Sequence, residues 1–224
     1  ELPIVFKLAG GAGSSNVLLI KNRKKLVQLT RKMFKKGIPV NNFSSTFEKN
    51  DLLLKVKRNL VTLKKKLFKS NEISYRVLIR NWNTQKNYLF LQEFLPNNGF
   101  DTRITTIGNR AFAFRRFNRP HDFRSSGSGS IDYNRNEIDI RCVKKALEIS
   151  KHFNFETMAY DFLYNKNDEP VFCEYSYGYN DEAVYKCEGY WDEDLNFIEG
   201  HYWPQYLHLK DLLKQSNMEQ PKDL

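Results

Sequence analysis

Apolar positions near the start of the chain follow the short runs that are typical of strands. Residues 3–6 and 17–20 are apolar, and a segment rich in glycine and serine separates them. Such β-prone runs on either side of turn residues predict a strand, a loop and a second strand. Apolar runs at residues 75–79 and 88–95 predict two further strands.

A helical period follows the strand predicted at residues 17–20. Leu26, Leu29 and Met33 fall on one side of a helix, Asn22 precedes them as a capping residue, and Gly37 follows them as a stop signal. We therefore expect an amphipathic helix in this part of the chain.

Residues 51–69 form the most basic segment of the sequence. Their leucine and valine positions make one stripe, whereas the lysines lie largely elsewhere around the axis, which predicts a basic amphipathic helix. An ordinary helix with a solvated cationic face is one interpretation. Peripheral contact with anionic lipid headgroups, or with an acidic substrate, is the functional alternative.

The second half of the chain shows the period of two that is typical of strands. Residues 101–107 and 110–116 alternate on either side of a Gly-Asn turn, which predicts a β-hairpin. Residues 157–164 and 170–175 predict a second hairpin. A serine-rich segment, residues 117–130, follows the first hairpin and is either a flexible linker or a functional loop.

Between the two hairpins the sequence predicts one helix. Asn136 is expected to cap it, and Phe153 lies near its end. The apolar stripe of this helix consists of Ile138, Cys142, Ala146 and Ile149.

Composition and charge narrow the class of protein. The 41% hydrophobic content favours a folded chain, and the formal net charge of +10 favours a polyanionic partner such as a nucleotide, a nucleic acid or an anionic membrane. The sequence carries no recognisable nucleic-acid-binding motif, so the case for a nucleic-acid partner would rest on charge alone. Cys142, Cys173 and Cys187 include no C-x-x-C pair, so neither a disulfide framework nor a zinc site is expected.

The location of the protein is predicted from what the sequence lacks. No apolar run approaches the length of a membrane span, and no secretory signal is visible at the start. We therefore expect a cytoplasmic protein, at the inner membrane surface if the basic helix contacts lipid. The abrupt apolar start suggests a domain cut from a longer protein.

Two places in the sequence suggest chemistry. Lys7 stands at the base of the glycine- and serine-rich loop, where backbone N–H groups can approach an anion closely. Asp161 and Glu174 each interrupt a strongly apolar strand, which is costly unless the carboxylate is paired or bound to a metal. On adjacent antiparallel strands the two carboxylates could converge on one cation. A surface lysine and a salt-bridged carboxylate pair are the ordinary alternatives.

These motifs, in this order, resemble the ATP-grasp superfamily. The nearest resemblance is to the ribosomal-protein glutamate ligases and related carboxylate–amine ligases. It implies an α+β fold in which two subdomains with antiparallel sheets, residues 1–92 and 93–224, clamp ATP, with a basic insertion at about residues 40–74. The N-terminal domain of the family has no counterpart here.

The resemblance also implies a role for each matching residue. Lys7 and the mobile loop would bind the nucleotide phosphates, Asp101 would bind the ribose, and the strand end near residue 93 would hold the adenine. The loop and strand-end positions are Gly11, Gly13, Ser14, Ser15, Gln92, Glu93, Phe94 and Leu95. Arginines would act near the transferred phosphate, and the Asp-Phe-Arg-Ser-Ser segment would form an active-site loop. These positions are Arg115, Arg116, Arg124, Ser125 and Ser126.

The metal site implied by the resemblance departs from the pattern of the family. Asp161 and Glu174 match the Mg²⁺ ligands, but Ser176 stands where the family usually has asparagine. A hydroxyl is a weaker ligand than an amide oxygen, and Asn180 could replace it if the following loop folds back.

The implied reaction joins a small-molecule carboxylate to an amine. The carboxylate attacks the γ-phosphate of ATP, ADP leaves, and the amine attacks the acyl phosphate. A kinase that phosphorylates a hydroxyl, and a nucleotide-binding or membrane-docking module without turnover, are the alternatives. The C-terminal segment is similar to ATP-grasp proteins of bacterial surface-polysaccharide loci, which implies sugar-linked substrates. Its ordinary interpretation is a packed segment that closes the second subdomain.

Overall fold

The computed structural model describes residues 1–9, 16–40, 84–214 and 218–220. The chain divides into two compact units, Glu1–Phe94 and Leu95–Leu224. Three sequence predictions lie outside the described residues: the glycine-rich loop with Gly11, Gly13, Ser14 and Ser15, the basic helix at 51–69, and the strand at 75–79.

The first unit is built on a three-stranded antiparallel sheet. Its strands are β1 (Ile4–Lys7), β2 (Val17–Ile20) and β5 (Phe90–Glu93), in the order β2-β1-β5. Helix α1 (Arg23–Lys35) packs on this sheet. A short pair, β3 (Ile38–Pro39) and β4 (Thr84–Gln85), completes the unit. The two strands and the helix predicted near the start of the chain are confirmed.

The ends of α1 follow from its sequence. The side chain of Asn22 accepts a hydrogen bond from the backbone N–H of Lys25 at 2.9 Å, which is the expected N-cap. At the other end Gly37 has a φ of +75°, and a Cβ there would lie 2.8 Å from the carbonyl oxygen of Gln85. Glycine is therefore required where the helix stops and the chain turns into β3.

The second unit contains one large antiparallel sheet in the order β10-β9-β6-β7-β11-β12, with β8 paired to β7. Its strands are β6 (Phe100–Ile107), β7 (Arg110–Phe117), β8 (Ile131–Asp132), β9 (Thr157–Tyr164), β10 (Pro170–Ser176), β11 (Gly189–Trp191) and β12 (Phe197–Glu199). Its helices are α2 (Ile140–Phe153), α3 (Asp181–Tyr185) and α4 (Pro204–Leu213). Both predicted hairpins, β6–β7 and β9–β10, are confirmed.

The two faces of this sheet are covered differently. Ile104, Tyr160 and Phe162 lie on the face that packs against Cys142 and the rest of the buried side of α2. On the opposite face, Ile107, Phe112 and Phe114 pack against apolar residues of α3 and α4. The C-terminal segment is thus part of the core of the second unit, and β11 extends the sheet beside β7.

The predicted cap of α2 is wrong. Asn136 lies within a single turn of 3₁₀ helix, Arg135–Glu137, which Asn134 caps. Asp139 caps α2 instead, because its carboxylate accepts a hydrogen bond from the N–H of Arg141 at 2.9 Å. Ile138, in an extended conformation, separates the 3₁₀ turn from α2. Three capping residues occur within six positions, and the apolar period alone does not choose between them.

The predicted α+β class with antiparallel sheets is confirmed. None of the helices in the described ranges combines the length and the apolar character that crossing a lipid bilayer requires.

Candidate functional site

Four charged residues lie close together on one face of the large sheet of the second unit. Asp101 on β6 lies opposite Arg116 on β7, and Arg103 on β6 lies opposite Asp161 on β9. Directly opposite residues of an antiparallel pair point to the same side, and Asp101 and Arg103 are two positions apart on one strand. We call these four residues the ionic face.

The ionic face is held together by bidentate ion pairs. Nε and Nη2 of Arg116 donate to the two carboxylate oxygens of Asp101, both at 2.7 Å. The same Nη2 lies 2.7 Å from Oδ2 of Asp161. Arg103 donates to both oxygens of Asp161, at 2.7 and 2.8 Å. Arg116 therefore joins the two carboxylates into one network.

Burial makes this network energetically consequential. Asp101, Arg116 and Asp161 are buried among the core strands. Burial by itself raises the pKa of Asp161, but the positive charges of Arg116 and Arg103 outweigh burial, so its pKa lies below the ordinary value. Burial also raises the pKa of Asp101, and the hydrogen bonds from Arg116 do not fully compensate. The two arginines thus stabilise the ionised form of Asp161 more than burial destabilises it.

Glu174 reaches the side of Asp161 through a β-bulge. The register of β10 against β9 shifts between Phe172 and Glu174, so that Phe172 lies opposite Phe162 while Glu174 lies opposite Asp161. Glu174 is exposed. The predicted placement of Asp161 and Glu174 on adjacent antiparallel strands is therefore confirmed, whereas their convergence on one cation stays a prediction.

Asp161 and Glu174 are the residues that could hold a divalent cation. A carboxylate offers about four acceptor positions, and three guanidinium contacts use those of Asp161, which leaves one on Oδ1. Glu174 adds a third carboxylate to this face, after Asp101 and Asp161, and lies opposite Asp161. Mg²⁺ is commonly held by one or two carboxylates together with substrate phosphates. In the described ranges no group of three or more His, Cys, Asp or Glu side chains is arranged to hold a metal.

The other two predicted metal ligands are engaged locally. Oγ of Ser176 donates to the carbonyl oxygen of Gly178 at 2.9 Å and accepts from its N–H at 3.1 Å. The side-chain oxygen of Asn180 accepts from the N–H of Ala183 at 2.8 Å and so caps α3. A role for Asn180 at a metal would remove that cap.

The predicted arginine pair of β7 is divided between the two faces of the sheet. Arg115 and Arg116 are adjacent on a strand, and adjacent side chains of a strand point to opposite sides. Arg115 contacts Glu137 at 2.9 Å and also pairs with Asp132. Its guanidinium lies 4.9 Å from the centre of the Phe100 ring. The structure therefore does not bring Arg115 to the ionic face.

Hydrogen bonds between residues of the loop after β7 hold it in place. Arg124 donates from Nε to both oxygens of Asp122, at 2.9 and 3.0 Å. The buried Ser125 donates to the side-chain oxygen of Asn118 at 2.6 Å, and the carbonyl oxygen of Ser126 accepts from Arg119 at 2.8 Å. The predicted active-site loop is thus an ordered turn with a cationic side chain at Arg124.

The pairing of Asp122 with Arg124 predicts a pH dependence of stability. Burial tends to raise the pKa of Asp122, but hydrogen bonds and charge from Arg124 lower it overall. A lowered pKa in the folded state means that this stabilisation is complete above the unfolded value of about 3.9. It is lost as the pH falls through the folded value.

We expect the free energy of unfolding of Asp122→Asn to depend less steeply on pH below about pH 4 than that of the unchanged protein. Urea unfolding across this range measures the slope. Arg124→Gln should reduce the slope in the same way, and the double variant should reduce it no further. Additive effects of the two changes would contradict the assignment to this ion pair.

In the first unit, the predicted nucleotide residues lie on neighbouring strands. Lys7 ends β1, and Gln92 on β5 lies opposite Val5. Lys7 and Val5 are two positions apart, so Lys7 and Gln92 point to the same face. Glu93 lies opposite Ile4 and points to the other face, which packs against α1. Phe94 ends the first unit and Leu95 begins the second.

Arg103 is the residue of the ionic face that the sequence predictions did not assign. The signal was present, since residues 101–107 alternate with a period of two and this places Asp101 and Arg103 on one side. What the period does not reveal is the partner, because Asp161 comes from a strand about sixty positions further along the chain.

Compared with known proteins, the sequence matches no protein-family model and no curated protein.

Proposed function

We propose that this chain has an ATP-grasp fold and acts as an ADP-forming carboxylate–amine ligase, with the ionic face and Glu174 binding the phosphates of ATP through a divalent cation. The observation that carries the proposal is the register that places Glu174 opposite Asp161, beside Arg103 and Arg116. Carboxylates for a cation and guanidinium groups for phosphate oxygens occur together on one face of the sheet.

Each residue of this face has a physical role in the proposal. Asp161 and Glu174 would hold Mg²⁺, which would neutralise charge on the transferred phosphate when bound. Arg116 and Arg103 keep Asp161 ionised and fix its orientation through bidentate contacts. The protein then acts mainly by positioning reactants and compensating charge, which is what phosphoryl transfer requires.

Other parts of the proposal rest on the sequence resemblance. Lys7 and the glycine-rich loop are proposed to bind the phosphates, Asp101 the ribose, and the segment from Gln92 to Leu95 the adenine. For Asp101 this role competes with its bidentate pairing to Arg116. Arg115, Arg124, Ser125 and Ser126 are proposed near the acceptor and the transferred phosphate.

Thermal stabilisation by ATP with Mg²⁺ tests the nucleotide site. At a hundredfold excess of ligand over Kd we expect about 2.7 kcal/mol of added stability. Lys7→Ala and Glu174→Gln should each reduce this gain. Glu182→Gln is the matched control, because Glu182, on α3, is an exposed carboxylate that pairs with Lys186 just after the helix. No stabilisation of the unchanged protein, or full stabilisation of both site variants, would contradict the proposal.

Product analysis then tests the reaction. A ligase releases ADP and free phosphate and forms an amide, and only when an acid and an amine are both present. Phosphate release is measured while pairs of small-molecule acids and amines, including sugar-linked ones, are screened. A stable phosphorylated acceptor would identify a kinase instead. Stabilisation by ATP without product from any acid and amine pair would indicate a nucleotide-binding module without turnover.

A further inference from the structure

Helix α1 presents a basic surface that no described contact uses. The helix contains six basic and no acidic residues. Leu29 and Met33 are buried against the sheet of the first unit, whereas the basic side chains are exposed. None of the ion pairs between described residues involves a side chain of α1.

Acidic side chains are scarce in the described part of the first unit. In its described residues, the acidic side chains are Glu1 and Glu93 alone. Glu93 points to the sheet face that packs against the buried side of α1, away from the outer side of the helix. Among the described residues of the first unit, no acidic side chain therefore balances the positive charge on the outer side of α1, and such a surface attracts a polyanionic one.

Two apolar side chains lie within this charge. Val27 is 38% exposed and Phe34 is 54% exposed. They are seven positions apart and therefore lie on the same side of the helix, with Arg31 between them. Lys24 and Lys35 flank them on the same outer side. We call these five residues the outer stripe of α1.

We propose that the outer stripe of α1 docks the protein onto a lipid bilayer surface that carries anionic headgroups. A helix with a cationic surface and exposed apolar side chains can lie in the plane of a membrane interface. There Phe34 and Val27 enter the acyl boundary, and the long basic side chains reach the headgroups. A nucleic-acid backbone would match the charge but would give Phe34 no apolar environment.

Vesicle co-sedimentation tests this proposal. The full chain is mixed with phosphatidylcholine vesicles, with or without phosphatidylglycerol. We expect binding to the anionic vesicles only, and binding that weakens with added salt. The triple variant Lys24→Gln, Arg31→Gln, Lys35→Gln should bind roughly a hundredfold more weakly. Phe34→Ser should weaken binding by about fivefold, since it removes apolar area from the interface.

A charge-matched control separates the surface from net charge. The triple variant Lys144→Gln, Lys151→Gln, Lys166→Gln changes three exposed cations of the second unit. It should bind anionic vesicles like the unchanged protein, and circular dichroism should show that all variants are equally folded. Equal losses in the two triple variants, or binding unaffected by Phe34→Ser, would overturn the proposal. So would tighter binding of single-stranded RNA than of anionic vesicles, which would make the surface a nucleic-acid contact.

Discussion

Replacing Arg116 by methionine is expected to lower the free energy of unfolding by about 3–5 kcal/mol. The guanidinium of Arg116 makes bidentate contacts with Asp101 and a further contact with Asp161, each at 2.7 Å. Both carboxylates are buried, so the substitution leaves one without a partner and the other with Arg103 alone. Removal of one partner from a buried ion pair costs far more than the pair itself contributes.

Urea unfolding followed by circular dichroism measures this loss. Arg116→Lys should recover only part of it, because an ammonium group cannot make the two parallel bonds that a guanidinium makes to Asp101. Arg141→Met is the control. Arg141 is an exposed arginine with a partner at Asp139, and its loss should change stability little. Equal effects of Arg116→Met and Arg141→Met would show that the network contributes no more than a surface ion pair.

Replacing Asp161 by asparagine is expected to destabilise the protein by about 3 kcal/mol, without any nucleotide or cation present. The amide keeps one oxygen that can accept from one arginine. Its NH₂ group would face guanidinium N–H groups where Oδ1 or Oδ2 now accepts from Arg103 and Arg116. The half-buried Arg103 would then have a neutral amide oxygen in place of its carboxylate partner, and the buried Arg116 would keep only its contacts with Asp101.

Glu174→Gln provides the contrast that separates folding from binding. Glu174 is exposed, and its substitution should change the free energy of unfolding by no more than about 0.5 kcal/mol. It should still reduce the stabilisation by ATP with Mg²⁺, because it supplies the second carboxylate of the proposed cation site. Urea unfolding with and without ATP measures both effects for both variants. If Asp161→Asn were as stable as Glu174→Gln, Asp161 would have no structural role in the network.

Local signals were sufficient for most of the described elements. Asn22 and Gly37 mark the ends of α1, and the period of two predicts both hairpins, because these features depend on neighbours within a few residues. The cap of α2 was missed because Asn134, Asn136 and Asp139 are chemically similar candidates. Which of them caps α2 depends on the extended conformation of Ile138, which lies between the 3₁₀ turn and the helix.

The partners within the candidate site could not be predicted from the sequence. The alternation within β7 places Arg115 and Arg116 on opposite faces, but only the order of strands in the sheet decides that Arg116 meets Asp101 and Asp161. Burial determines how much these ion pairs matter for stability, since the same residues at a solvent-exposed edge of the sheet would form weak ion pairs. In the sequence, Asp161 within an apolar strand indicated a buried charge that costs free energy. The structure shows that Arg103 and Arg116 compensate for this charge.

The bulge in β10 has a consequence for how relatives of this chain would be found. On both sides of Cys173 the pairing with β9 is regular, and Cys173 is the additional residue between them. A chain without that residue would still bring its glutamate opposite its aspartate. The spacing between the two carboxylates can therefore differ by one residue at constant geometry, and a search pattern with a fixed interval would separate proteins that share the site.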